Sequence, residues 1–561
     1  MRWIAGGFLF VLVVAAVLVE LALHRVEPYL RARIVESLEN RFHARVELDS
    51  FHVSLTGGLW AQGKGLRIWP PAQVEGVTVP EGQGEPLIRL DEFRFHAPLH
   101  LKAGQPIHIP MVVLKGLSVH LPPRSHMQHI GWGNLDSSGT AASGETKSVT
   151  PLVSFKVDSM VCTGAELVLE TDKPGKLPLS FAIAYFKMTN IAASGAIHPE
   201  GENLPVATPA MKFEAELTNP RPKGTIKTTG SFGPLHGADL GDDPLKGDYR
   251  FEDADLASFK GIAGILSSTG HYEGTLRDLT VDGTTDTPDF RLTHFGNAMP
   301  LTTRFHAHVD GTNGDTWLDP VDATLGHSHF TARGQIVRVP GAMVGGERKG
   351  GGHDIALTVD VDKARIEDFL HLASRPDAGH TSKVLMTGDV RVKTTLHIPP
   401  GPVPVHERLE LKGWFALDKA QFTSEKVQGR VAELSLRGQG RPDELKTADV
   451  STIFSQMQSN FELKGGVVTL PALDYTVPGA KIQLKGTYAL EGGALNLAGT
   501  AKMEASVSKM VGGWKGLLLT PADRYFKKDG AGTEVPIHID GTREDPDFGI
   551  DFGRMKSPEK Q

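Results

Sequence analysis

Apolar and polar residues alternate along most of this chain after residue 45. The alternation recurs in short runs, at Phe51/Val53/Leu55, Leu66/Ile68, Phe93/Phe95, Leu117/Val119/Leu121, Phe155/Val157, Leu167/Leu169, Leu357/Val359/Val361, Val390/Val392, Leu409/Leu411 and Ile482/Leu484. Side chains two apart on a strand share a face, so each run predicts a half-buried β-strand. The short helical candidates are Ala257 to Ser267, Ile366 to Ala373 and Val507 to Leu519. The chain is therefore predicted to be mainly β, with few short helices.

The N-terminus breaks this alternation with one apolar run. The 21 residues from Trp3 to Leu23 carry a single charge, Glu20, and a helix of that length crosses roughly 30 Å of hydrocarbon. A cleaved signal peptide is the alternative, but its apolar core is shorter and ends at small residues, whereas this run leads directly into His24 and Arg25. Residues 1–25 are therefore predicted to be a retained transmembrane anchor. Its apolar residues are Trp3, Ile4, Phe8, Leu9, Phe10, Val11, Leu12, Val13, Val14, Val17, Leu18, Val19, Leu21 and Leu23.

Residues 26–44 are predicted to form a short amphipathic helix. Apolar residues recur every four positions at Val26, Leu30, Ile34, Leu38 and Phe42, with charged residues between them. This spacing gives one apolar stripe along a helix. The stripe allows two interpretations: a core helix that caps the first strands, or a helix that rests on the membrane surface or plugs the end of a groove. The two are compatible.

Composition narrows the classes of function. The net charge of -7 gives no basic surplus, so no nucleic-acid partner is expected. The single cysteine, Cys162, forms no internal disulfide, and its apolar strand context predicts a small buried residue rather than a nucleophile. A long chain behind one early span is most naturally exported. The scattered 63 Gly and 36 Pro fit many strands joined by tight turns.

One segment of the chain occurs twice. Residues 274–292, GTLRDLTVDGTTDTPDFRL, match residues 532–550, GTEVPIHIDGTREDPDFGI, without a gap, and 8 of 19 positions are identical. Asp282-Gly283 and Asp540-Gly541 are predicted to supply a tight turn or bulge. Pro288 and Pro546 are predicted to fix an edge or strand start before Phe290 and Phe548. The repeat therefore predicts one β module used twice.

Candidate chemistry is sparse. The pairs His306/His308 and His327/His329 each place two imidazoles on one strand face, but no cysteine or carboxylate pattern completes a metal site. The carboxylates Asp286, Asp289, Glu544, Asp545 and Asp547 are candidates for a hydrolase pair or calcium ligands. Their occurrence in both copies of the repeat favours structural turns. We therefore assign no catalytic residue, cofactor or metal, and favour a binding or structural role over an enzyme.

Several segments together resemble the AsmA-like family of bacterial envelope proteins. They are the anchor, residues 29–42 (YLRARIVESLENRF), residues 44–68 (ARVELDSFHVSLTGGLWAQGKGLRI), residues 281–292 and 309–325, and residues 465–503. The resemblance covers about half the chain. It implies an inner-membrane anchor that holds a periplasmic β-groove, an elongated, curved, open antiparallel sheet with an apolar inner face. It also implies a relation to bridge-like lipid-transfer proteins.

The resemblance implies a single-pass protein of the bacterial inner membrane with most of its chain in the periplasm. Its expected partners are membrane lipids, through their phospholipid acyl chains, and it binds or transfers phospholipid in support of outer-membrane biogenesis. The alternative is a scaffold that binds an envelope protein partner during outer-membrane protein assembly, with a filled β core. The expected divisions are the anchor (1–25), the amphipathic helix (26–44), two β regions (45–295 and 296–553) and a polar tail (554–561).

Overall fold

The structure is a computed structural model. It describes helical residues 27–29, 31–32, 34–36 and 38–39, and then residues 44–54, 59–69, 73–74, 77–78, 86–97, 107–121, 155–170, 178–191, 210–234, 240–259, 261–293, 297–339, 342–344, 347–349, 352–374, 384–401, 403–511, 532–542 and 545–550. Strand accounts for 69% of these residues, which confirms the prediction of a mainly β chain with few helices. The predicted anchor, the tail 554–561, and Val26, Leu30 and Phe42 of the amphipathic stripe lie outside the described residues.

The chain divides into two compact units. Unit 1 comprises Met1–Ala254, Ser267–Gly283 and His308–Asp315, and unit 2 comprises Asp255–Leu266, Thr284–Ala307 and Thr316–Gln561. The strands of the first half are β1 (Val46–Ser54), β2 (Leu59–Ile68), β3 (Gln73–Val74), β4 (Val77–Thr78), β5 (Ile88–Ala97), β6 (Ile107–Leu121), β7 (Phe155–Leu169), β8 (Leu179–Thr189), β9 (Met211–Pro220), β10 (Lys223–Phe232), β11 (Pro244–Asp255), β12 (Ile262–Ala263), β13 (Ile265–Thr275) and β14 (Asp278–Leu292).

The strands of the second half follow in chain order. They are β15 (Ala298–Asp310), β16 (Asp315–Leu325), β17 (Ser328–Val339), β18 (Ala342–Val344), β19 (Glu347–Lys349), β20 (Gly352–Arg365), β21 (Met386–Ile398), β22 (Glu410–Phe422), β23 (Ser455–Lys464), β24 (Val467–Val477), β25 (Ala480–Ala489), β26 (Leu495–Met503), β27 (Thr533–Gly541) and β28 (Pro546–Ile550).

The helices are short. We label the helical residues within 27–39 α1, followed by α2 (Ile366–Leu372), α3 (Val405–Arg408), α4 (Glu425–Gly438) and α5 (Val507–Val511). Single turns of 3-10 helix lie at Leu240–Asp242, Leu256–Ser258, Pro442–Lys446 and Val450–Thr452. In the described part of the chain, helices with the length and apolar content needed to cross a membrane are absent.

In unit 1, consecutive strands form a ladder in the order β1, β2, β5, β6, β7, β8, β9 and β10. The pairing is antiparallel except between β6 and β7, which run parallel. An all-antiparallel sheet was expected, and this pair is the exception. A parallel pair needs a crossover connection of a dozen residues or more, and residues 122–154 separate these two strands.

In unit 2, the ladder follows the order β16, β17, β20, β21, β22, β23, β24, β25, β26, β27 and β28, and each of these pairings is antiparallel. Two helices pack on this sheet. Ile366 and Phe369 of α2 pack against Val361 and Val390, whereas α4 buries Ala432 against Val477 and its neighbours. Both helices therefore cover the ends of strands on one apolar face.

Left-handed glycines reset the alternation in the strands of unit 1. Gly116 in β6 has φ +63° and Gly164 in β7 has φ +65°. Strict alternation would place Leu114 and Leu117, one before and one after Gly116, on opposite faces, yet both belong to one apolar cluster. Because glycine has no Cβ, it adopts this φ at little steric cost. In β6 the reset therefore keeps Leu114 and Leu117 on the same apolar face on either side of Gly116.

Helix α1 packs along the first strand. Ile34 packs against Leu48 and Phe51, and Leu38 packs against the cluster around Val46. Its charged side chains bond to backbone groups of β1: Arg31 Nε donates to Leu48 O at 2.7 Å, and Glu39 Oε1 accepts from Val46 N at 3.3 Å. Covering an edge strand with a helix protects its unpaired backbone groups. The described stripe residues Ile34 and Leu38 therefore pack against the first strands, as the core-helix interpretation expects.

The three helices predicted from the sequence have different outcomes. The prediction at 366–373 is confirmed by α2, and α5 occupies the start of 507–519. The prediction at 257–267 is wrong, because the segment contains only the end of a single 3-10 turn (Leu256–Ser258), followed by strand β12 and the start of β13. Gly261 (φ +102°) and Gly264 (φ +138°) take conformations that a helix cannot contain.

The repeated sequence adopts two different structures. Asp282 and Gly283 lie inside the single strand β14, so of the two predicted alternatives, a tight turn or a bulge, the tight turn is wrong there. Asp540 and Gly541 instead end β27, and the chain reverses so that Gly541 pairs with Pro546. Pro288 and Phe290 lie within β14, whereas Pro546 and Phe548 lie in β28. An alternating sequence fits one long strand as well as a hairpin, so local sequence does not choose between them.

Candidate functional site

The most extensive chemical feature of unit 1 is a continuous apolar face, which we call the floor. Cross-strand partners form rows that run across the sheet from strand to strand. One row contains Phe93, Leu114, Cys162, Phe186 and Ala215. A second row contains Ala61, Phe95, Val112, Met160, Met188 and Phe213. All members of both rows are apolar, and neighbouring side chains in such rows lie about 5 Å apart. The floor is therefore apolar without interruption along these two rows.

The floor is only partly buried. Cys162 and Leu114 are buried, at 1% and 9% exposed, whereas Phe93 and Phe186 beside them are only half-buried. The cluster around Leu114 draws all its members from strands β2 and β5 to β8. Of the described elements, α1 is the one that packs over this face, and it covers β1 and its neighbours. Burial raises the pKa of the Cys162 thiol, which keeps that thiol protonated and unreactive.

The opposite face of unit 1, which we call the polar face, carries paired charges. Arg67 donates to Glu47 Oε2 at 3.1 Å and to Asp49 Oδ1 at 2.6 Å, and Gln62 donates to Glu92 at 2.8 Å. The hydrogen bond from Arg67 lowers the pKa of Glu47. A sheet with one apolar and one charged face presents the charged face to water, which leaves the floor as the face that must be covered.

Unit 2 has an apolar face built on the same principle. One row, near the ends of the strands that α2 and α4 cover, contains Val390, Leu417, Met457, Tyr475, Ile482 and Ala501. A second row contains Leu396, Leu411, Leu463, Val468, Tyr488 and Leu495. In this second row only Leu463 is buried, at 3% exposed. The face is therefore filled along one side and partly open along the other.

The sequence predicted the apolar strand positions but missed two features of the site. The longest described helix, α4, follows a recognisable signal: Ser424 caps its first turn, and Val427, Val431 and Leu434 follow at helical spacing. The second feature is the shift in the alternating pattern at left-handed glycines. Its signal in the sequence is a glycine between two runs of alternating apolar residues.

Four of the candidate metal and carboxylate residues have structural partners. His308 Nδ1 lies 3.6 Å from Asp278 Oδ1, and His327 Nδ1 lies 3.7 Å from Asp368 Oδ1. Asp289 Oδ1 accepts from Ile265 N at 2.8 Å, and Asp545 Oδ1 accepts from Lys426 Nζ at 2.8 Å. Among the described residues, no group of three or more His, Cys, Asp or Glu side chains is arranged to hold a metal ion.

A charge network crosses the polar side of unit 2. His397 Nε2 lies 2.9 Å from Asp354 Oδ1, and its Nδ1 lies 3.4 Å from Glu410 Oε2; Glu410 also accepts from Lys464 through Oε1 at 3.0 Å. The hydrogen bond to Asp354 is the main cause that raises the pKa of His397. The same network lowers the pKa of Glu410, mainly through Lys464.

This network predicts a pH-dependent contribution of His397 to stability. Because its pKa is higher in the folded state, the stabilisation is fully present below the unfolded-state pKa of about 6.5 and is lost as pH rises through the folded-state value. The difference in unfolding free energy between wild type and His397→Gln is expected to be larger at about pH 5.5 than at about pH 8.5. Urea titrations of both proteins at the two pH values measure it, and a pH-independent difference would contradict the prediction.

Comparison with known proteins adds no identification. The chain matches none of the protein-family models, curated proteins or solved structures with which it was compared.

Proposed function

We propose that this chain is a membrane-anchored periplasmic protein of AsmA type that binds or transfers phospholipid between the two membranes and so supports outer-membrane biogenesis. The observation that carries the proposal is the floor of unit 1. It is a continuous apolar surface, half-exposed and backed by a charged face. The proposal places the anchor in the bacterial inner membrane and assigns no catalytic step to the chain.

The floor fits acyl chains for a physical reason. Each methylene group that leaves water for an apolar surface gains about 0.8 kcal/mol, and rows such as Phe95, Val112, Met160 and Met188 supply that surface on successive strands. Binding of this kind needs no fixed polar partner. A chain can therefore slide along the rows, which is what a transfer protein requires.

The structure also gives the scaffold alternative one supporting observation. In unit 2, α2 and α4 pack on the apolar face and bury Val390, Val477 and Ala480. Where these helices cover the apolar face of unit 2, no surface is left for acyl chains. A protein-binding scaffold predicts that the remaining apolar surface is likewise filled, by a protein partner rather than by lipid.

Site-specific photocrosslinking on full-length protein in cells separates these functions. A benzophenone amino acid replaces Phe186, which pairs with Cys162 on the floor, or Tyr185, which pairs with Thr163 on the polar face. The two sites are adjacent and aromatic, so they form a matched pair. We expect phospholipid adducts at position 186 and none at position 185. Protein adducts without lipid at position 186 would support the scaffold and reject lipid binding.

A further inference from the structure

One row on the polar face of unit 1 does not fit its charged surroundings. Trp60, His96 and Met111 are successive cross-strand partners on β2, β5 and β6. Trp60 and Met111 are each 48% exposed. The Trp60 and His96 rings lie 4.5 Å apart between centroids. We call these three residues the Trp60 row.

The floor does not account for this row. The residues next to Trp60 along β2 show the contrast: Ala61 belongs to the floor, whereas Gln62 belongs to the polar face with Trp60. A tryptophan and a methionine that are each half-exposed on the same row cost free energy in water. Tryptophan, with an apolar ring system and one N–H donor, is enriched where a surface meets the headgroup layer of a bilayer.

The position of α1 brings the row close to the predicted anchor. Glu27 in α1 accepts from Val53 N at 3.2 Å, and it lines a cavity of about 330 Å³ together with Trp60 and Arg94. The predicted membrane span ends at Leu23, four residues before Glu27. Four extended residues reach at most about 14 Å. A span that ends at Leu23 therefore holds this cavity within reach of the headgroup layer.

The charge beside the row suits the same surface. Arg94 is exposed on the polar face and lines the cavity with Trp60, His52 and Glu27. The Glu27 carboxylate lies 3.5 Å from His52 Nδ1 and accepts from Val53 N. Basic side chains near a bilayer surface are attracted to anionic headgroups. An aromatic row with an adjacent arginine thus has both components of an interfacial contact.

We propose that the Trp60 row docks on the phospholipid bilayer surface at headgroup level and fixes unit 1 against the membrane that holds the anchor. This inference rests on the proposed function, because it uses the predicted span. It goes beyond that function by assigning a second lipid contact, on the face opposite the floor. The floor would bind acyl chains of single lipids, whereas the Trp60 row would bind the surface of the intact bilayer.

Depth-dependent fluorescence quenching tests the proposal on the full-length chain. In a Cys162→Ala background, Trp60→Cys or Met111→Cys carries an environment-sensitive fluorophore, and the protein is reconstituted into vesicles of phosphatidylethanolamine and phosphatidylglycerol. Lipids with a headgroup nitroxide are expected to remove about half of the emission at either position, because interfacial aromatic sites lie at that depth. Trp317→Cys is the matched control, since Trp317 is a strand tryptophan of unit 2 that is 42% exposed.

The outcomes are distinguishable. Quenching at 60 and 111 without quenching at 317 supports docking, whereas equal emission with and without the nitroxide at 60 and 111 overturns it. Quenching at all three positions also overturns it, because the contact with the bilayer is then not specific to the Trp60 row. Crosslinking at position 186 is measured in parallel: lipid adducts there without quenching at 60 reject the docking proposal alone, whereas loss of both rejects the proposed function as well.

Discussion

Aspartate at position 112 is expected to abolish phospholipid copurification with the full-length protein, whereas aspartate at position 113 is expected to leave it near the wild-type level. Val112 lies on the floor between Phe95 and Met160, where an unpaired carboxylate has no counter-charge. Val113 lies on the polar face beside Arg94, which can pair with the new carboxylate across the strands. The two residues are identical, adjacent and half-buried. The two variants therefore differ in which face of the sheet carries the new carboxylate.

Lipid extraction and mass spectrometry of the purified variants measure this outcome. Val112→Asp also removes favourable packing, and an uncompensated polar group at such a site costs about 1–3 kcal/mol. Circular dichroism and a thermal melt therefore accompany the lipid measurement. Val112→Phe is the control for the effect of charge, because it changes the same side chain and adds apolar volume without a carboxylate. This variant should retain lipid. Equal lipid content in the 112 and 113 aspartate variants would contradict the role of the floor.

Alanine at Gly116 is expected to destabilise the surrounding strands more than alanine at Gly164, although the two glycines have almost the same backbone. With φ values of +63° and +65°, both substitutions incur the left-handed penalty of about 1–2 kcal/mol. At position 116 a Cβ also clashes with the Asp91 carboxylate, whereas at position 164 it meets nothing within 4 Å. Displacing Asp91, which lies 3.3 Å from Arg89, is expected to add about 1 kcal/mol.

A double-mutant cycle isolates that added cost. Asp91→Ala removes the carboxylate, which makes the closest contacts, and leaves the Asp91 Cβ 3.0 Å from the new Cβ. Gly116→Ala combined with Asp91→Ala is therefore expected to approach the backbone penalty of Gly164→Ala. Hydrogen-exchange protection of the β5, β6 and β7 amides reads the local free energy of opening. This measurement suits a chain of two units better than a single denaturation midpoint does. Equal effects of the two single glycine variants, or no coupling with Asp91, would refute the prediction.

The left-handed glycines connect stability to the proposed function. By resetting the alternation, Gly116 keeps Leu114 and Leu117 in one cluster with Leu90. Without the reset, half of each strand would present its apolar residues to the polar face. The floor would then break into separate patches, and a continuous path for acyl chains would be lost.

The sequence by itself determined the class of the fold and much of the candidate site. Alternation at Phe93/Phe95 and Leu117/Val119 located strands, and the stripe through Ile34 and Leu38 located α1, because side-chain periodicity follows directly from strand and helix geometry. The apolar context of Cys162 likewise predicted its burial, which is confirmed at 1% exposed. These properties are local, so the order of residues is enough to predict them.

Only the tertiary structure decided how these local elements combine. It paired β6 with β7 in parallel, placed Asp282 and Gly283 inside a strand while their counterparts Asp540 and Gly541 end one, and set α1 along β1. Register, strand direction and the choice between a long strand and a hairpin depend on which neighbours are available to pair. Those neighbours lie far away in the chain, so the same alternating sequence permits several arrangements and long-range packing selects one.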